Sequence, residues 1–312
     1  MTGVLTLLFG SVAVGLNGHR ALLWLGDRRV HPAVLLTGWA LSSLGLVAST
    51  LAMVAMLALP ADQHYATGVL RLAGGCWTAL SSGTAPGWRQ LFAGLSLVTT
   101  AVLLARLAWS VSRHLRQRRR QATHLIQLRR LAGEARGEEP LWIEDARPMA
   151  MSISGRPGLI IMTQELRRRL SPQAVQATLE HEKAHLRGRH HALLAIADTL
   201  STAFPFCPLL RAAPSATKDL VELAADAQAA RRCGPAAVQE ALSRLTSHPV
   251  PDGGLGMAGP LTEVRLRRLS TGHLMAARPV RWISCAGVAA AALLLPAATG
   301  WLALNVVGCV VS

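Results

Sequence analysis

The sequence predicts a mainly α-helical, multi-pass membrane protein with about four transmembrane helices and a cytoplasmic α+β domain that carries a small β-sheet. Three observations lead there. The 312 residues are 51% hydrophobic and only 16% charged, and the mean hydropathy of +0.33 is high for a soluble globular chain. The apolar residues gather into four runs that approach the ~20 residues needed to cross a hydrocarbon core of roughly 30 Å. Between the third and fourth runs lies a basic segment of roughly 170 residues, long enough to be a domain. The apolar content excludes intrinsic disorder. Five cysteines (Cys76, Cys207, Cys233, Cys285, Cys309), odd in number and widely spaced, exclude a disulfide scaffold.

The runs are 2–18, 33–59 and 91–112, which with their connections make an N-terminal membrane domain over 1–112, and 283–305, which leads into a short tail within 282–312. A secretory signal peptide is the other reading of the first run, but no basic residue precedes it and no small-x-small cleavage site follows. Orientation comes from the basic residues near the span ends, since cytoplasmic flanks carry the excess. Arg20, Arg28 and Arg29 place the first loop inside, the segment 60–90 with only Arg71 and Arg89 lies outside, and Arg113, Arg116 and Arg118 to Arg120 hold the end of the third run inside. The N-terminus is thus expected outside and the domain over 113–281 in the cytoplasm of a plasma membrane. Trp282 and Trp301 bracket the last run at a helical separation of about 28 Å, suited to the two interfaces.

The net charge of +15 comes from 32 Lys+Arg against 17 Asp+Glu, and 26 of the 32 fall between 112 and 281. Charge so placed reads as topology and attraction to anionic lipid. Direct nucleic-acid binding is not expected, because zinc-finger spacing and RNP-type aromatic runs are lacking. Thirty of the basic residues are Arg, a bias that suggests a GC-rich bacterial genome. Arg106, near the cytoplasmic end of the third run, is expected to snorkel.

Along the cytoplasmic segment, 113–137 reads as a basic helix leaving the membrane. Residues 148–154 (PMAMSIS) and 159–162 (LIIM) read as two short strands joined by the tight turn Gly155 to Gly158. Ser171 followed by Pro172 signals a capped helix start. That helix contains His181, Glu182, Lys183, Ala184, His185, the pattern H-E-x-x-H. At 3.6 residues per turn both imidazoles lie on one face about 5–6 Å apart at Cβ, so both reach one metal ion, and Glu182 stands beside them as a base for a water molecule. Zinc in a hydrolase takes three protein ligands and keeps a fourth position open. Glu222 and Asp226, one turn apart on an Ala/Leu-rich helix, supply a third ligand and an acceptor that orients a ligand histidine. A plain solvated helix face explains the H-E-x-x-H pattern less well, because it leaves this acidic pair without a reason. His190 and His191 admit either a supporting or an ordinary interfacial role. Ser215 is expected to cap the helix of Glu222, although Ser215 to Lys218 also spell S-x-x-K. The stretch 247–262 reads as a Gly/Pro-rich loop, and 263–269 (EVRLRRL) as a basic amphipathic segment returning to the membrane surface.

These motifs carry a resemblance. The block from Pro148 to His190, with the PMAMSIS and GLIIMT strands, the LSPQAVQATL helix start and HEKAHLRGRH, together with the later ELAAD, resembles the BlaR/MecR-type membrane zinc metallopeptidases, relatives of the HtpX and CAAX prenyl protease group. The resemblance is close over 148 to about 232 and loose over the membrane helices. It implies a zincin-like (gluzincin) domain, His181, His185 and Glu222 as ligands of Zn2+, Glu182 as catalytic base and acid, and Asp226 in support. Members often have Asp where this chain has His190. The resemblance further implies a signalling role in which a cytoplasmic transcriptional repressor is the protein substrate. Penicillin sensing by this chain alone is not expected, since the outside segment 60–90 is too short to hold the sensor domain. The expected function is therefore an integral-membrane zinc endopeptidase. The alternative is a non-catalytic, zinc-stabilised membrane receptor or scaffold that signals by conformational coupling.

Overall fold

The computed structural model describes residues 2–27, 30–58, 88–131, 139–155, 158–245 and 262–271. The apolar run 283–305, nearly all of the loop 247–262 and the centre of the turn at 156–157 lie outside the described residues.

The protein is mostly helical with a small mixed sheet of three strands. Helix α1 (Thr2–Asp27) packs against α2 (Pro32–Ala58), whose first residue is a proline preset for a first helical turn. Helix α3 (Trp88–Leu131) runs for 44 residues, so the third apolar run and the basic stretch that follows form one rod of about 66 Å. Among the described residues one stretch, Pro32–Thr50, is long and apolar enough to cross a membrane. Asn17, His19 and Arg20 interrupt the apolar character of α1, and Arg106 that of α3.

Strands β1 (Leu141–Ile143), β2 (Ala150–Ile153) and β3 (Leu159–Thr163) lie in the order β1-β3-β2. β2 and β3 form the expected antiparallel pair, with Met151 opposite Ile161 and Ile153 opposite Leu159. β1 was not anticipated. It joins β3 in parallel, and three residues carry too little alternation to signal a strand. The pleat sends Ile160 and Met162 to one face of β3, and Leu159 and Ile161 to the other.

Helices α4 (Gln164–Arg169), α5 (Pro172–Arg187), α6 (His190–Ala203), α7 (Pro208–Cys233), α8 (Pro235–Leu245) and α9 (Thr262–Ser270) follow. The cap expected at Ser171 is present: its Oγ accepts from the backbone N–H of Ala174 at 3.2 Å. That hydroxyl also donates to Glu240 of α8 at 2.7 Å, which ties the start of α5 to α8. Gly158 lets the strand pair sit on α5, because a Cβ there would come within 2.8 Å of the Leu186 side chain. Helix α7 joins two cores. Its first half (Leu209, Leu210, Ala213, Ala216, Leu220) interlocks with Val14 and Leu22 of α1 and Leu35, Trp39 and Leu46 of α2. Its second half (Ala227, Ala229, Ala230) packs with the sheet, α5 and α8.

Two expectations are corrected and one gains a partner. Ser215 does not cap the helix of Glu222, because that helix already starts at Pro208, leaving Ser215 inside it with its hydroxyl donating to the Ala212 carbonyl at 3.1 Å. Arg106 Nε donates to the Ala203 carbonyl at the end of α6, 2.9 Å away, satisfying an acceptor that a helix C-terminus leaves open. The segment 263–269 is not simply a surface helix. Arg265 is buried, and Arg268 donates to the Gly26 carbonyl at the end of α1, 2.8 Å away.

Leu166 is fully buried where the sheet, α5 and α8 meet. Leu166→Ala is expected to cost about 2–4 kcal/mol of unfolding free energy, read from the denaturant midpoint of the full chain. A loss under about 1 kcal/mol would contradict this packing.

Candidate metal centre

Helices α5 and α7 lie against one another, and each carries one pair of polar residues spaced by four on the face it turns to its neighbour. On α5 the pair is His181 and His185, on α7 Glu222 and Asp226, so two one-turn pairs meet across a single helix contact. All four are buried, and so is Glu182.

The ligand atoms converge. His181 Nε2 lies 3.1 Å from His185 Nε2 and 3.4 Å from Glu222 Oε2, and His185 Nε2 lies 3.5 Å from Glu222 Oε1. A tetrahedral ion with bonds of about 2.0–2.1 Å sets its ligand atoms roughly 3.3 Å apart, so these spacings suit one ion. The three residues can hold a metal ion. Both Glu182 oxygens are buried without a hydrogen-bond partner among the described residues. Such orphaned acceptors are costly unless a ligand or water completes them.

The surroundings hold the ligands in place. His181 Nδ1 lies 3.0 Å from Asp226 Oδ1, which leaves Nε2 for the cluster. Asp226 is gripped in turn by Arg265 of α9, with Nε to Oδ2 at 2.6 Å and Nη2 to Oδ1 at 2.7 Å, while Arg265 Nη1 lies 3.1 Å from Glu222 Oε2. Such a two-point grip fixes the plane of the carboxylate. Arg265 is the residue that sequence reasoning missed. Its signal was present, because it sits four residues before buried Leu269 on one stripe of α9, opposite Arg267. Ser152 was missed as well: it is a fully buried hydroxyl in an apolar strand, beside Glu182. Of the two ambiguous histidines, His190 places Nδ1 2.9 Å from His185 Nδ1, and His191 turns toward Ser152, 3.5 Å away.

Burial pushes the Glu182 carboxyl up to about 7, although His181 and Ser152 oppose the shift. Burial pulls His181 down, but the Asp226 and Glu222 carboxylates outweigh it and raise the imidazole to about 9. Burial also works against the Asp226 charge, and Arg265 more than offsets it, holding the carboxyl at about 2. His185 is driven well below its ordinary value by burial and by the charge on His181.

An ion needs a neutral His181, while the metal-free imidazole stays protonated up to about 9. Binding below that pH displaces a proton, so affinity should rise with pH and level off above about 9. Calorimetry of Zn2+ binding at pH 8 in buffers of different ionisation enthalpy is expected to give about one proton released per ion. No release would mean that the metal-free His181 imidazole is already neutral at that pH. The chain matches no family model, no curated protein and no solved structure.

Proposed function

We propose that the protein is an integral-membrane, zinc-dependent endopeptidase whose site faces the cytoplasm. The observation that carries the reading is the convergence of His181, His185 and Glu222 beside a buried Glu182 that has no hydrogen-bond partner among the described residues. His181, His185 and Glu222 would hold the ion, and a bound zinc ion supplies the Lewis acidity that makes water a nucleophile near neutral pH. Glu182 would take a proton from the attacking water as its oxygen bonds to the scissile carbonyl carbon, and would deliver it to the amine nitrogen as the C–N bond breaks. A carboxyl raised to about 7 is well placed to do both at neutral pH. Asp226, held by Arg265, keeps the His181 ring oriented.

β2 is an edge strand, since it pairs only with β3 among the described residues. An extended peptide could add to that free edge, with main-chain bonds holding the scissile bond over the site. Imidazole and carboxylate ligands suit zinc, and the lack of a thiolate among them agrees with a catalytic rather than a purely structural ion.

Placement in a membrane rests on the apolar stretch Pro32–Thr50 and on the outward side chains of α1 and α3. Leu16, Trp24, Leu95 and Val98 are each more than half exposed, and large apolar surface on so many turns calls for lipid. The positive-inside distribution then sets the cytoplasmic orientation, and a regulatory or membrane-associated protein is the substrate we favour.

Glu182→Gln keeps the ligands and removes the base. It is expected to retain zinc while proteolysis falls about 100- to 10,000-fold, measured as cytoplasmic proteins cut in cells with the wild type but not with the variant. Full cleavage by the variant would remove the mechanism. Retained zinc with no cleavage by either form would favour a zinc-stabilised scaffold.

A further inference from the structure

We infer that His190 is the positioning residue of the second imidazole ligand, and that the turn Gly188–Arg189 is built to put its Nδ1 against Nδ1 of His185. The inference rests on the reading of His181, His185 and Glu222 as a metal cluster.

His185 turns Nε2 toward the cluster, 3.1 Å from His181 Nε2 and 3.5 Å from Glu222 Oε1. A metal-binding nitrogen must present a lone pair, so the ring hydrogen of a ligating His185 sits on Nδ1. The atom that meets it is His190 Nδ1, 2.9 Å away on a ring only 6% exposed. Two protonated nitrogens cannot share that contact, so His190 accepts and carries its own hydrogen on Nε2. The two ligands are thus held in chemically different ways. His181 leans on a carboxylate backed by an arginine, and His185 on an uncharged imidazole.

The chain between them is shaped for this contact. Helix α5 ends at Arg187, and Arg189 adopts φ 49°, ψ 37°, a left-handed conformation that is unfavourable for a non-glycine residue. The reversal starts α6 with His190 folded back on the turn of His185. Gly188 has an ordinary right-handed conformation (φ −77°, ψ −3°) that any residue adopts. A Cβ there is excluded chiefly by His190, whose Nε2 would lie 2.4 Å and Cδ2 2.6 Å from it; the Ala184 carbonyl at 3.0 Å is the lesser obstacle. The glycine is demanded first by the imidazole, and not by its own φ and ψ.

The test is a mutant cycle read by metal affinity in the purified full chain, with Zn2+ and Co2+ titrated against a chromophoric chelator. His190→Ala is expected to weaken zinc about 10- to 100-fold, the usual cost of removing a partner of a ligating histidine. His190→Asn places an amide oxygen where Nδ1 was and should stay within about threefold of wild type. Gly188→Ala keeps the imidazole but displaces it, so it should match His190→Ala. The double variant should be no worse than His190→Ala, because the ring that the new Cβ strikes is gone. The visible absorption of the cobalt form should change in His190→Ala and return in His190→Asn. Melting of the metal-free variants reports folding, and if His190→Ala fails to fold, the asparagine and Gly188 variants carry the test. Zinc affinity within twofold of wild type in His190→Ala, an asparagine variant as weak as the alanine one, or losses that multiply in the double variant would each overturn the inference. A wild type that binds neither metal would sink the metal reading itself, a result distinct from those three.

Discussion

The contact between α5 and α7 decides what else this structure can do. Both helices are rich in buried alanine, with Ala174, Ala177 and Ala184 on one and Ala225, Ala227, Ala229 and Ala230 on the other. Small side chains let two helix axes approach toward the near end of the usual 8–10 Å range. Only at close approach do short imidazole and carboxylate arms from opposite helices meet at a point. The remaining elements press on this contact: the sheet and α8 pack about α5, α1 and α2 hold the first half of α7, and α9 inserts Arg265.

The charge pattern argues for what sits at that point. Without an ion, Arg265 and a protonated His181 balance Asp226 and Glu222, and Glu182 is held up near neutrality by burial. Neutralising His181 and ionising Glu182 leaves the buried set two charges short of balance, which one divalent cation restores. Buried charge without compensation is costly, so this set of side chains suits a divalent cation beside an ionised Glu182.

The local chemistry of the site was legible from sequence, and its long-range assembly was legible only in part. His181, Glu182 and His185 follow from helical periodicity, and Ser171 and Pro172 announce the helix that bears them. Glu222 and Asp226 could be found because an acidic pair on an alanine-rich face has no other use. Arg265 lies 39 residues beyond Asp226, past a Gly/Pro-rich loop, and an arginine among arginines looks like surface. β1 was hidden because a three-residue strand with a parallel partner leaves no alternation to read. The hydrogen bond of Arg106 was hidden because its acceptor, the Ala203 carbonyl, belongs to a helix end 97 residues away. Gly188 and His190 show the same limit: each residue looks ordinary until the turn brings them together.

X-ray absorption at the zinc edge of the purified full chain reads the ligand set itself. One zinc per chain is expected, surrounded by nitrogen and oxygen at about 2.0–2.1 Å, with the outer-shell scattering of two imidazoles and no sulfur. A sulfur neighbour near 2.3 Å, or a chain that retains no zinc, would contradict it.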